Sequence, residues 1–333
     1  MQHEFDVLAH YAMDTFLETF ELPANGKNND LIGVRGKHRK YILKRHTSAT
    51  YATADSIHYE ARLLQYLAAS DLPFAVPLLL RNRSGDIITE TSRGIFSLTP
   101  FFDGRRLNAK SGHDVMLLGA AVGQLQTVLA RHPAEKCDKP AGRALFTALL
   151  DFSAPHINPL MLTPSGIGLS AWDADLDDLF AWWRHHMAQV QTFVEQVYPQ
   201  LPHQICHNDI TPHNVLVENG QIVAILDFEF MTVAARALDV AMVLRMTMRT
   251  WENPQPIETA QHFFEGYQRW ITLTDAEMSA LPMLINLRAA LPIIWWLGRQ
   301  QAYDTIPTLM TYYRNLTRWF ADNERLFLEQ ARA

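Results

Sequence analysis

The chain has 333 residues, 48% of them hydrophobic and 19% charged, with a formal net charge of −6. That much apolar material supports two buried cores, hence two lobes or domains. The balance gives no sign of nucleic-acid or membrane-surface binding, either of which favours a basic stripe. A local positive site for phosphate remains compatible with it.

In chain order, a short helix is predicted near residues 6–20, then a turn-rich loop, Pro23-Ala-Asn-Gly-Lys-Asn-Asn-Asp30. Two short strands, 31–35 and 39–44, flank a Gly36-Lys-His turn. From 54 to 69, Ile57, Ala61, Leu64, Leu67 and Ala68 recur near helical spacing, with Asp55 or Ser56 as the expected cap. Strands follow over 76–80, 87–90 and 95–100, with Ser84-Gly85-Asp86 as a turn. After Asp103-Gly104 the texture becomes helical. Leu118, Ala121, Leu125 and Val128 mark an amphipathic helix over 115–129. Residues 133–170 read as loops with short helices, 176–197 as helix, and 237 to the end as mainly helix. The expected fold is α+β: a sheet-containing lobe over residues 1–101 and a larger helical lobe over 102–333.

Cys137 and Cys206 stand far apart without CxxC spacing, so neither a disulfide framework nor a zinc site is implied. A reducing, cytoplasmic setting is expected. The first residues carry acids early and lack the basic and apolar regions of a secretion signal. The apolar stretch 281–297 is interrupted by Asn286, Arg288 and Pro292 and reads as buried helix, not as a membrane span.

The informative segment is Cys206-His-Asn-Asp-Ile-Thr-Pro-His-Asn-Val-Leu-Val-Glu-Asn-Gly-Gln-Ile-Val-Ala-Ile-Leu-Asp-Phe-Glu-Phe230. Two β-prone runs flank Asn219-Gly220, a strong hairpin signal. Such a hairpin places Asp209 and Asn214 before its first strand, and Asp227 and Glu229 after its second. Phosphoryl transfer needs such a set of oxygens. Mg²⁺ prefers carboxylate and carbonyl oxygen and bridges phosphates, and a separate carboxylate orients the acceptor hydroxyl and takes its proton.

His207-Asn-Asp209, with Asn214 five residues on and Asp227 thirteen residues after that, resembles the catalytic segment of the protein-kinase-like superfamily. The form HxDxxPxN followed by DFE is similar to the aminoglycoside phosphotransferase, choline kinase and homoserine kinase branch. That resemblance implies ATP and Mg²⁺ as cofactors and a small-molecule hydroxyl as acceptor. It implies Asp209 as catalytic base, with Asn214, Asp227 and Glu229 as metal ligands. Lys44, ending the run Lys40-Tyr-Ile-Leu-Lys44, resembles the strand lysine that contacts ATP phosphates, and Glu60 lies where that lysine's partner is expected. Asn28 belongs to a polar loop without GxGxxG that is expected to cover the phosphates, and Ser97 and Thr99 to the strand and hinge against which adenine is expected. Asp239 is expected to hydrogen-bond the catalytic-loop backbone, and His207 to be structural. Asn208 departs from the common HGD, where glycine is usual.

Within that branch, Phe264-Glu-Gly-Tyr267, Leu273-Thr-Asp-Ala-Glu277 and Ser97-Leu-Thr-Pro-Phe-Phe-Asp-Gly104 look most like the bacterial homoserine kinases of this fold. Homoserine or a related amino alcohol or amino acid is therefore the expected acceptor. It needs a cation for its carboxylate, for which Arg288 and Arg245 are available, and an acid for its ammonium, for which Glu252 is. An aminoglycoside would prefer the acidic run Asp173 to Asp178, equally readable as a solvated helix start. Choline would want an aromatic cage, which the Trp content permits. Trp295 and Trp296 read as core or as pocket lining, and His185-His186 as a solvated helix position. A reading of a different class is an inactive nucleotide-binding pseudokinase.

Overall fold

The computed structural model describes residues 6–22, 29–47, 53–133, 143–169, 174–250, 252–301 and 303–332. The chain folds as two compact units. The first takes Met1–Leu107 and the later segment His213–Met231; the second takes most of 108–212 and Thr232–Ala333.

The first unit is built on a five-stranded antiparallel sheet in the order β1-β2-β3-β5-β4. Its strands are β1 (Phe16–Phe20), β2 (Asn29–Gly36), β3 (Lys40–His46), β4 (Thr89–Thr91) and β5 (Gly94–Pro100). Alternation along β3 and β5 sends Tyr41, Leu43, Phe96 and Leu98 into a core with Val34 and Tyr11. Lys44, Ser97 and Thr99 therefore stand on the opposite face, with Lys44 directly across from Ser97. Helix α1 (Ala54–Ala68) buries Ile57 and Ala61 against Ile87 and Ile88.

Sequence patterning misplaced several elements here. The helix predicted over 6–20 is one helical turn at residues 6–8, and Phe16–Phe20 is strand β1. Pairing with β2 supplies ladder partners that local patterning does not reveal, and Phe20 packs where Gly33 leaves room: a Cβ there would lie 2.5 Å from the ring. Residues 76–80 form no strand: Pro77 lacks a donor, and the Leu78 amide turns back on the Val76 carbonyl at 2.9 Å. The strand expected at 87 begins at Thr89, since the Asp86 carboxylate takes the amides of Ile87 and Ile88. The cap of α1 is Thr53, not Asp55 or Ser56: its hydroxyl accepts from the Ser56 amide at 3.2 Å.

A second, three-stranded sheet completes the unit: β6 (Arg105–Arg106), β8 (Val215–Glu218) and β9 (Gln221–Ile225), in the order β6-β8-β9.

The second unit is helical around a two-stranded ribbon of β7 (His203–Cys206) and β10 (Thr232–Ala235). Its helices are α2 (Gly112–Leu129), α3 (Arg143–Ser153), α4 (Ala174–Gln196), α5 (Ala237–Met248), α6 (Pro256–Tyr267), α7 (Asp275–Gly298) and α8 (Ile306–Arg332). Helices α2 and α6 cross through glycines: a Cβ on Gly119 would meet the Phe263 carbonyl at 2.0 Å, and one on Gly266 the Met116 carbonyl at 1.9 Å. Helix α7 is long and apolar enough to cross a membrane, but 78% of its apolar window is buried within the protein, as a core helix requires. His186, expected to be solvated, is buried and stacks on Trp182 at 5.3 Å.

Candidate active site

The hairpin of the first unit forms as its Asn-Gly signal requires. Asn219 and Gly220 have φ of 51° and 73°, both left-handed. Glu218 pairs with Gln221 and Val215 with Ile225, and the Leu226 amide donates to the Asn214 carbonyl at 2.8 Å. Asn214 and Asp227 thus lie at the same end of the ribbon. At Asp227 φ is 64°, so the chain leaves the strand through a left-handed residue, a conformation that Asp tolerates better than most.

At that end stands Lys44. Its Nζ donates to Glu229 Oε2 at 2.7 Å and lies 3.9 Å from Asp227 Oδ1. Asn29, at the start of β2, donates through Nδ2 to the same Glu229 oxygen at 2.7 Å. Burial alone would lower the Lys44 ammonium; the carboxylates of Glu229, Asp227 and Glu60 overcome it and hold the pKa above the usual lysine range. Burial likewise works against ionised Glu229, but Lys44 and Asn29 hold its pKa low. Asp227 is left with the strain: burial raises its pKa, and Glu229 and Glu60 add to the rise against Lys44 and Arg106.

Three carboxylates near one ammonium make a place where a further cation is welcome. Among the described residues no three His, Cys, Asp or Glu side chains form a protein-only metal cage. The hard oxygens of Asn214, Asp227 and Glu229 still suit Mg²⁺, which keeps waters and binds through one or two carboxylates plus substrate phosphates.

The other sequence candidates of this unit fall as follows. Glu60, on α1, is 7% exposed and acts on Lys44 through its charge, and Glu229 accepts a hydrogen bond from the same lysine. Ser97 is buried and its hydroxyl lies 2.9 Å from His46 Nε2. Thr99 follows on the same face, half-buried. Asn28 lies outside the described residues. Sequence reasoning missed Arg106, whose guanidinium binds the His213 carbonyl and whose charge acts on Asp227. The pair Arg105-Arg106 after Asp103-Gly104 was its only signal.

The second unit carries Asp209, five residues before Asn214 in the chain and half-buried. Its loop is held from below by Asp239, which is fully buried in the first turn of α5. Asp239 Oδ2 accepts from the His207 amide at 3.0 Å and Oδ1 from the Asn208 amide at 2.7 Å. Burial raises the Asp239 pKa, against the Arg288 charge and those two donors. The Asp209 amide donates to His207 Nδ1 at 3.2 Å, so that nitrogen carries no proton. Asn208 has φ of 65°, the left-handed region that glycine favours and that Asn enters most readily of the other residues. Its carbonyl accepts from Arg288 Nη2 at 2.7 Å.

Helix α5 is itself pinned at the end that bears Asp239. Arg236 donates to both oxygens of buried Glu277 at 2.7 and 2.8 Å, and Glu277 also closes the capping box of α7 with Thr274. Gln126 Nε2 donates to the Arg236 carbonyl at 2.9 Å.

Residues 19–280 match the model of the phosphotransferase enzyme family. The chain belongs to that family. This kinase is 25% identical to the homoserine kinase of Rhodospirillum rubrum over 287 residues, 82% of this chain and 80% of the relative. Among solved structures it is similar to a microcompartment-associated aminopropanol kinase, with TM-score 0.69, 16% identity and 98% of both chains covered. It is also similar to an amicoumacin kinase in complex with AMP-PNP, Ca²⁺ and Ami, with TM-score 0.67, 16% identity and 96% and 92% of the two chains covered. The fold is thus the α+β, protein-kinase-like one expected from the sequence, and the enzyme is a small-molecule kinase.

Proposed function

We propose that this kinase transfers the γ-phosphoryl group of ATP to the hydroxyl of homoserine or a closely related amino acid. The observation that carries the reading is the Lys44–Glu229–Asp227 cluster at the hairpin end, 2.7 and 3.9 Å from the ammonium, with charges matched to a metal-bound polyphosphate. Lys44 binds phosphate oxygens, and the face bearing Ser97 and Thr99 receives adenine. Asn214, Asp227 and Glu229 would hold the divalent cation, which as Mg²⁺ would supply positive charge to the phosphates. Asp209 orients the acceptor hydroxyl and takes its proton. In this reading the first unit handles nucleotide and the second the acceptor.

The choice of homoserine draws on the homoserine kinase relatives over most of the chain. A coupled ADP-release assay over L-homoserine, amino alcohols, choline and aminoglycosides tests it. L-homoserine is expected to give the highest kcat/KM, and turnover confined to an aminoglycoside or to choline would overturn the choice. Asp209→Asn is expected to lower kcat by about 10²- to 10⁴-fold while keeping ATP affinity; turnover near the wild-type rate would remove Asp209 as base.

A further inference from the structure

Two arginines in the second unit have more donors than partners. Arg288, on α7, is 6% exposed. One edge of it is used: Nη2 binds the Asn208 carbonyl at 2.7 Å and reaches the Asn208 side chain at 3.4 Å. Its Nε is buried and donates to nothing among the described residues. Arg245 lies in the last turn of α5, a helix that packs on α7. The single hydrogen bond found for it among the described residues runs from Nη1 to the Met246 sulfur at 3.5 Å, a weak acceptor. No carboxylate among them forms an ion pair with it.

The Arg288 charge acts on Arg245 as a like charge; both guanidinium groups feel the Asp209 carboxylate, and Arg288 feels that of Asp239 more strongly. Burial pushes Arg245 down to about 10, Arg288 adds to the drop and Asp209 resists it. It stays charged near neutrality nonetheless. A buried cation without a bonded anion costs free energy that a framework would normally avoid by pairing it. Arg288, buried with its Nε unpaired, and half-buried Arg245, on the helix packed against it, are what a site for an external carboxylate looks like before the ligand arrives, and Arg288 holds the carbonyl of the residue before the proposed base.

We propose that Arg245, with the free edge of Arg288, binds the α-carboxylate of an amino-acid acceptor whose hydroxyl then reaches Asp209. The inference rests on the kinase reading above and deepens it: the acceptor is a hydroxy amino acid, and Arg245 is the residue that separates it from amino alcohols. Arg288 is a less informative probe, because it also supports the Asn208 carbonyl of the loop.

The test compares L-homoserine with 3-amino-1-propanol, which keeps the hydroxyl and the amine at the same spacing and lacks only the carboxylate. Wild type is expected to favour L-homoserine. Arg245→Met is expected to raise the KM for L-homoserine by roughly 10- to 100-fold, the range of a lost hydrogen bond to a charged group. The change in kcat should be far smaller, and the preference over 3-amino-1-propanol should collapse by the same factor. Arg245→Lys, which keeps the charge without the fork, should fall between. ATP affinity and the far-ultraviolet circular dichroism of each variant establish that it is folded. The carboxylate site is overturned if folded Arg245→Met keeps the wild-type KM for L-homoserine, or if it loses kcat/KM equally for both acceptors. Wild type preferring 3-amino-1-propanol would also overturn it, with the kinase reading intact. Wild type that binds ATP and phosphorylates neither acceptor would overturn the homoserine reading, and the carboxylate site with it.

Discussion

The two units use buried acid in opposite ways. In the first, Asp227, Glu229 and Glu60 crowd one lysine, and burial together with the Glu229 and Glu60 charges leaves Asp227 with a raised pKa despite Lys44 and Arg106. In the second, Asp239 is more deeply buried but its oxygens accept two backbone amides of the loop before Asp209. One cluster crowds like charges around a single ammonium; the other converts charge into position. A buried carboxylate alone therefore says little about function, and what its oxygens touch decides.

Substitutions at four positions sharpen that contrast. The largest effect is expected from Asp209→Asn, a loss of about 10²- to 10⁴-fold in kcat, the usual share of a general base, with nucleotide affinity intact by calorimetry. Asp239→Asn should act instead on the framework. Its amide nitrogen cannot accept, so one loop N–H is left facing a donor, at a cost of about 2–3 kcal/mol in denaturant unfolding, and kcat should fall because the loop moves.

Glu277→Gln removes the ionic partner of Arg236 and should cost about 1–2 kcal/mol at neutral pH. The Arg236 and Thr274 donors hold the Glu277 pKa below its ordinary value, despite burial. A depressed acid contributes stability above its unfolded pKa, about 4.3, and that contribution disappears as pH falls through the lower folded value. The Tm difference between wild type and variant should thus be full near neutrality and shrink in acid. A difference independent of pH would count against the ionic account. Asn208→Gly is expected to have the smallest effect, under about 1 kcal/mol in unfolding and with activity retained, because glycine accepts the left-handed backbone freely. Asn208→Val should be strongly destabilising in the same measurement.

Much of the candidate site was legible in sequence because it is local. Asn219-Gly220 dictated a two-residue turn, and that turn by itself put Asn214 and Asp227 at one end of a ribbon. The departure from glycine at Asn208 was legible as an anomaly, and its left-handed backbone gives the reason the position is restricted. The misread elements were those whose hydrogen bonds come from afar: Phe16–Phe20 reads as part of a helix until β2 offers it a ladder. Arg106 and Asn29 were not singled out because an Arg pair after a turn and an Asn in a turn-rich run carry no motif spacing.

The sequence by itself determined the hairpin, the order of its oxygen-bearing residues and the strand that carries Lys44. Turn chemistry and side-chain alternation act over a few residues and need no distant partner. Only the tertiary structure decided that Glu229 is hydrogen-bonded to Lys44, 185 positions away in the chain, and that Arg288 holds the Asn208 carbonyl, next in the chain to Asp209, with its Nε unpaired. Those facts depend on which distant elements pack together. Burial sets the electrostatic cost of each charge only after that packing is complete.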